Sequence, residues 1–162
     1  MTEKSKKSLE ELRWWNPKDI VKLGVYGIPR FPHFLLLERQ LAYEFLKRQI
    51  LTGRVAFDVP VDTEYSRMLE ETGDYFLVRQ AYLLKKRIDM LFDTDTALWI
   101  IEIKKMIRAS AMGQVLVYKK LLRETYKLPR KKIRLGVLAA QDDPTVRRIL
   151  NSQKIETWVI EV

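Results

Sequence analysis

Residues 87–104, Arg-Ile-Asp-Met-Leu-Phe-Asp-Thr-Asp-Thr-Ala-Leu-Trp-Ile-Ile-Glu-Ile-Lys, hold two carboxylates and an amine at spacings that could do chemistry. Two apolar, β-prone runs, Ile88–Phe92 and Ala97–Ile103, flank the polar Asp93-Thr94-Asp95-Thr96, which reads as strand, turn, strand. A turn centred on Asp95-Thr96 pairs residues whose numbers sum to 191, so Phe92 faces Trp99, Leu91 faces Ile100 and Asp89 faces Glu102. Two carboxylates directly opposed on one sheet face repel and weaken the hairpin. A divalent cation between them relieves that repulsion, and hard oxygen ligands suit Mg²⁺ or Mn²⁺. Strand alternation puts Lys104 on the same face as Glu102. Taken alone, Glu-x-Lys is explained by a solvated ion pair. Asp89 at hairpin-matched spacing, inside an otherwise apolar hairpin, turns the reading towards a catalytic patch of Asp89, Glu102 and Lys104.

The charge around that patch is uneven. The chain carries +9, and residues 104–134 contain eleven Lys or Arg against a single acid, Glu124. That segment accounts for the whole net charge, and a basic block beginning at the carboxylates suggests a polyanion held against them. Lys105, Arg108, Lys119, Lys120 and Arg123 are its candidate contacts, with nucleic acid as the expected partner. With 162 residues and 47% hydrophobic content, the chain is expected to fold with a substantial core. No run approaches the roughly 20 apolar residues of a membrane span, and the charged start lacks a signal peptide's apolar stretch. Cysteine is absent, which excludes disulfides and thiolate metal sites. One histidine, His33, makes triads and His-rich zinc sites poor readings, and it is taken as structural. No phosphate-loop or dinucleotide fingerprint occurs. These features point to an intracellular, cytoplasmic protein.

The elements that must position the patch follow from periodicity and caps. Residues 1–32 read as an extension: a charged, frayed start, then a short helix with Asn16 as N-cap, Pro17 at its first position and Gly24 past its end. Residues 33–162 read as the main domain. Its first long helix, about 33–52, carries Phe34, Leu37, Leu41, Phe45 and Leu46 at helical spacing and stops at Gly53. Val55–Val61 is either a strand or an extended loop, and 62–71 a brief helix ended by Gly73. Tyr75–Leu84 reads as a strand leading through a turn at Lys85-Lys86 into the hairpin. A second long helix over 107–126, a buried strand over 133–140, a helix over 143–151 and a last strand from Ile155 complete the chain. A meander followed by crossover helices gives an α/β fold, a mixed central sheet flanked by helices.

The helices add candidates of their own. Gln114 and Tyr118 lie on the apolar stripe of the second long helix with Ala111 and Leu122. A buried glutamine needs partners, either a backbone carbonyl in the core or a water or phosphate at the site. Gly113 would allow close approach of this helix to the sheet. On the first long helix, Glu38 and Glu44 both could supply a further carboxylate, and Glu38 is preferred for its place near the stripe and the helix start.

With Asp89 as the first acid, Glu102-Ile103-Lys104 as E-x-K, and a helix–three-strand–helix–strand order, the sequence resembles the PD-(D/E)XK nuclease superfamily over about residues 33–162. Ile88 stands where the proline of the motif's name would be. Gln114 and Tyr118 reproduce the Q-x-x-x-Y of the RecB-like branch, although no iron–sulfur cysteines are present. Archaeal Holliday-junction resolvases and small viral nucleases are similar in size and basicity.

The resemblance implies a restriction-endonuclease-like core, αβββαβ plus αβ, and Mg²⁺- or Mn²⁺-dependent hydrolysis of DNA phosphodiesters, in repair, recombination or another host process. Asp89, Glu102 and the Ile103 carbonyl would hold the metal. Lys104 would orient or deprotonate the attacking water, or stabilise transition-state charge, and Gln114 would complete the positioning. Arg87 and Arg79 flank the site strands and could touch the scissile strand. A homodimer is open, since symmetric cutting of two strands favours two-fold symmetry. The alternative is a non-catalytic nucleic-acid-binding protein on the same fold.

Overall fold

The computed structural model describes residues 5–32 and 34–162, so His33 and the first four residues lie outside it. Besides two short 3-10 turns, Leu9–Glu11 and Gly24–Gly27, the chain forms six α-helices and seven strands among the described residues: β1 (Lys7–Ser8), α1 (Pro17–Lys22), α2 (Leu36–Lys47), β2 (Arg54–Val61), α3 (Glu64–Glu71), α4 (Tyr75–Leu84), β3 (Lys86–Asp93), β4 (Ala97–Met106), α5 (Ser110–Thr125), β5 (Tyr126–Lys127), β6 (Lys132–Gln141), α6 (Pro144–Ser152) and β7 (Ile155–Val159). Five strands make a mixed sheet in the order β2-β3-β4-β6-β7. β2, β3 and β4 are antiparallel neighbours, and β6 and β7 continue parallel to β4 through the crossover helices α5 and α6. The fold is α/β with helices on both faces of the sheet.

Alternation along β4 divides the interior in two. Leu98 and Ile100 pack with Val115, Tyr118 and Leu122 of α5 on one face. Trp99, Ile101 and Ile103 pack with Leu41 and Phe45 of α2 on the other. Glu102, between Ile101 and Ile103, is therefore carried to the α5 side by the two-residue period of the strand. Thr94 closes the β3–β4 turn, its Oγ1 accepting the Ala97 N–H at 3.1 Å and donating to the Ala97 carbonyl at 2.9 Å.

β2 and β3 both change face at one level. Phe57 and Met90 point to the α2 core, whereas Val59 and Ile88, two residues away, point to the α5 core. Strict alternation forbids that, and the break is at Asp58, which sits in the left-handed region at φ 51°. Arg87 holds the kink, its Nη1 donating to the Asp58 carbonyl and to Oδ2, each at 3.3 Å.

Several expectations change. Tyr75–Leu84 is a helix and not a strand. Its N-cap, Asp74, accepts from Leu77 N, and an apolar run without alternation cannot by itself separate helix from buried strand. The first strand of the meander is instead β2, so Lys86 opens β3 where a turn was expected. The amino-terminal segment is tied down from Ser5 onwards: β1 pairs with β5, Trp15 bridges Val55 and Ile20 is fully buried. Gly113 is exposed, with open space where its side chain would be, so it serves no close helix–sheet approach.

Candidate functional site

The hairpin register is the one the sequence implies, with Phe92 opposite Trp99 and Leu91 opposite Ile100. The β3–β4 ladder stops at Met90–Ile101, although β3 continues to pair with β2 as far as Lys86. Where the strands part, a side chain replaces the backbone: Ile103 N donates to Asp89 Oδ2 at 2.8 Å. A strand residue's N–H and C=O point to the same edge. The Ile103 carbonyl therefore faces Asp89 as well, beyond the end of the ladder. The parting of the strands thus leaves carboxylate and carbonyl oxygens gathered at one point.

Glu102 is 4% exposed, and its Oε1 meets Lys104 Nζ at 2.9 Å. Its Oε2 is buried without a hydrogen-bond partner among the described residues. Burial drives the acidity of this pair. Asp89 has its pKa pushed up to about 8, first by desolvation and then by the neighbouring negative charge of Glu102. Desolvation likewise raises Glu102, against the pull of Lys104. Two acids with one amine between them cannot both ionise cheaply, so the pair retains a proton near neutrality.

Two members of the α5 stripe complete the site. Tyr118 is 9% exposed, and its pKa is raised by burial and then by the charges of Glu102 and Asp89, which places its ring within their field. It therefore stays a neutral hydrogen-bond donor. Gln114 lies one turn earlier, half-buried, and its Oε1 is a second buried oxygen without a partner. Buried polar atoms normally find partners, so two orphaned oxygens on the residues of one patch suggest a missing ligand.

Glu38 does not join them. Among the described residues no three acidic or histidine side chains gather at metal-binding spacing. The reason is topological: α2 packs on the other face of the sheet. Glu38 does keep a buried, unpartnered Oε2, whereas Glu44 is paired with Arg48 at 3.6 Å.

The basic candidates separate into three groups. Arg87 is committed to Asp58 and stacks over Tyr82 at 4.5 Å. Lys105 and Arg108 are exposed just beyond the site, and Lys120 is exposed on α5 with Glu124 as a 3.8 Å neighbour. Lys119 and Arg123 line a groove of about 740 Å³ together with Lys132, Arg134 and Lys154. Lys132 and Arg134 belong to the basic block of 104–134 but were not among its candidate contacts, and Lys154 lies outside that block, because the groove is assembled from α5, the start of β6 and the α6–β7 turn. Lys132 pairs with Ala97 and Val137 with Glu102. At about 3.3 Å per residue the far end of the groove lies roughly 17 Å from the carboxylates along the sheet. Asp58 was also missed; the only signal was an acid interrupting the apolar run Val55–Val61.

No protein-family model matches the chain, and no curated protein or solved structure matches it significantly. No helix among the described residues is long and apolar enough to cross a membrane.

Proposed function

We propose that this protein is a Mg²⁺- or Mn²⁺-dependent nuclease acting on DNA phosphodiesters, with Asp89, Glu102 and Lys104 as its catalytic group on a restriction-endonuclease-like core. The observation that carries the reading is the under-compensated acid pair at the parting of β3 and β4, with Glu102 Oε2 buried and unpartnered. Setting aside α3 and α4, which are inserted between β2 and β3, the order α2, β2, β3, β4, α5, β6 is compatible with αβββαβ, with α6 and β7 as the added αβ, and supports the same reading.

The donor set fits a hard divalent cation: two carboxylates from Asp89 and Glu102 and the carbonyl of Ile103. Such a cation supplies charge neutralisation on the phosphate and an acidified water. The chain's own groups do the rest. The Ile103 N–H fixes one Asp89 oxygen, Oδ2, and the carboxylate's second oxygen would serve the cation. Lys104, held 2.9 Å from Glu102, presents an amine that can orient the attacking water or meet charge developing on the phosphoryl oxygens. Gln114 Oε1 can accept a hydrogen bond from that water, and the Tyr118 hydroxyl can donate to a phosphate oxygen. The Lys119–Arg123–Lys132 groove would hold the polyanion several nucleotides away from the point of cleavage.

The test is to incubate wild type and Lys104→Ala with end-labelled single-stranded, duplex and four-way-junction DNA, with Mn²⁺ or with chelator. Cleavage by wild type alone, abolished by chelator, is the expected result. DNA binding without cleavage on all three substrates would instead support a non-catalytic binder. Neutralising Lys119, Arg123 and Lys132 together should lower affinity for every sequence and reduce the salt slope by about 2–3.

A further inference from the structure

The geometry points to α3–α4 as the surface on which two copies of this chain dimerise, a reading independent of the chemistry proposed for the carboxylate site. The helix α4, Tyr-Phe-Leu-Val-Arg-Gln-Ala-Tyr-Leu-Leu, is apolar at all but two positions, yet only Ala81 is buried. Its main packing partner is α3. Tyr75 is 76% exposed, Phe76 68% and Leu83 79%, with Tyr82 beside them and Tyr65 and Met68 of α3 continuing the patch. A helix that is apolar all round normally has cover on every side. Aromatic side chains bring about 150–250 Å² each, so these six exposed residues present on the order of 800 Å². That is more than the largest patch of a typical monomer, and close to the roughly 800 Å² per partner of a standard interface.

Charge identifies the occupant. Between Asp62 and Arg87 there are five acidic and five basic residues, so this stretch is neutral in a chain of +9. A polyanion gains little from a neutral face, since neutralising phosphates requires excess cations. Two strongly basic chains, by contrast, can meet only where their own charge is balanced. The helix is also self-complementary. Antiparallel docking about a two-fold axis near Gln80 sets Asp74, at the amino end of one helix, beside Lys86, past the carboxyl end of the other. Helix dipoles then oppose favourably, and the contact is closed rather than open-ended.

The full chain should sediment at twice its 19.3 kDa mass. The double variant Phe76→Glu/Leu83→Glu should keep the wild-type circular dichroism and weaken association by at least about a hundredfold. Leu116→Glu, on exposed α5, should leave it unchanged. Because the chain has no cysteine, Gln80→Cys offers a second readout that does not depend on disruptive variants. Mild oxidation should trap it as a covalent dimer, whereas Leu116→Cys should associate as wild type does and form no intermolecular disulfide. A wild-type chain that stays monomeric at every concentration tested would overturn the proposal. So would a dimer that survives Phe76→Glu/Leu83→Glu, or tyrosine fluorescence quenched by oligothymidine in a monomer, which would give this surface to nucleic-acid bases.

Discussion

Asp89 and Asp93 lie four residues apart on β3, and the fold treats them in opposite ways. Asp93 is met by two cations, Arg54 Nε at 3.0 Å and Lys131 Nζ at 2.7 Å. Arg54 passes the network on to Glu10 at 2.6 Å and lies over the Trp14 ring at 4.1 Å. Asp62 is handled similarly, between Lys7 at 3.3 Å and Lys85 at 3.2 Å. Asp89 has one backbone N–H and faces a second carboxylate, with Lys104 the only amine paired to either among the described residues. Acids that serve as structure are neutralised by the chain itself. Under the proposed function, a pair left short of positive charge, in a place where the sheet opens, is where a divalent cation would be taken up.

The largest effect should be on turnover. Lys104→Ala or Glu102→Gln should slow single-turnover DNA cleavage by about a thousandfold or more, with Asp93→Asn within about threefold of wild type. Equal losses at both places would dissolve the contrast. Stability should divide the other way. Asp93→Ala leaves Arg54 with Glu10 alone and Lys131 with only the Thr94 carbonyl, and should cost about 2 kcal/mol, lowering Tm by about 4–8 °C in a thermal melt.

How much of this was legible in the sequence depends on range. The hairpin register was readable because an alternating apolar pattern and a polar turn are local. So were the Glu102–Lys104 relation and the α5 stripe, which period two and period 3.6 determine without knowledge of the fold. Helix α4 was misread because an apolar stretch interrupted only by Arg79-Gln80 shows no helical period, and its exposure gives it none of the usual polar face. The fate of Glu38 depends on which side of the sheet α2 packs, and local spacing does not encode that. The Lys119–Lys132–Lys154 groove joins residues from three elements, so its charges were visible and its shape was not. Arg87 read as a DNA contact, but Asp58, the residue that holds it, is far away in sequence and became its partner only when β2 paired with β3.

Gln114 sharpens the comparison from the α5 side. Its Oε1 has no partner, so Gln114→Ala removes an orphan and should not lower the melting temperature. If that oxygen orients a reactant, the variant should lose about tenfold in cleavage rate with unchanged DNA affinity. A glutamine that merely caps the core would give the reverse, a stability loss with normal turnover.

The smallest effect is the most direct test of the acid pair, and its sign is fixed. Asp89 holds its proton up to about 8 in the folded chain, against an ordinary value of 3.8. Between roughly pH 4 and pH 8 the folded state therefore binds more protons than the unfolded one, and metal-free stability must fall as pH rises through that window. Asp89→Asn preserves an oxygen for the Ile103 N–H and removes the charge, so it should flatten the slope and raise stability at its alkaline end. Mg²⁺ or Mn²⁺ replaces the proton, so its thermal shift should grow with pH in wild type and vanish in Asp89→Asn. Asp93→Asn should keep the slope. Stability that instead climbs with pH across this window would mean the pair is ionised and compensated without metal, and would make Asp89 an acid of the same kind as Asp93.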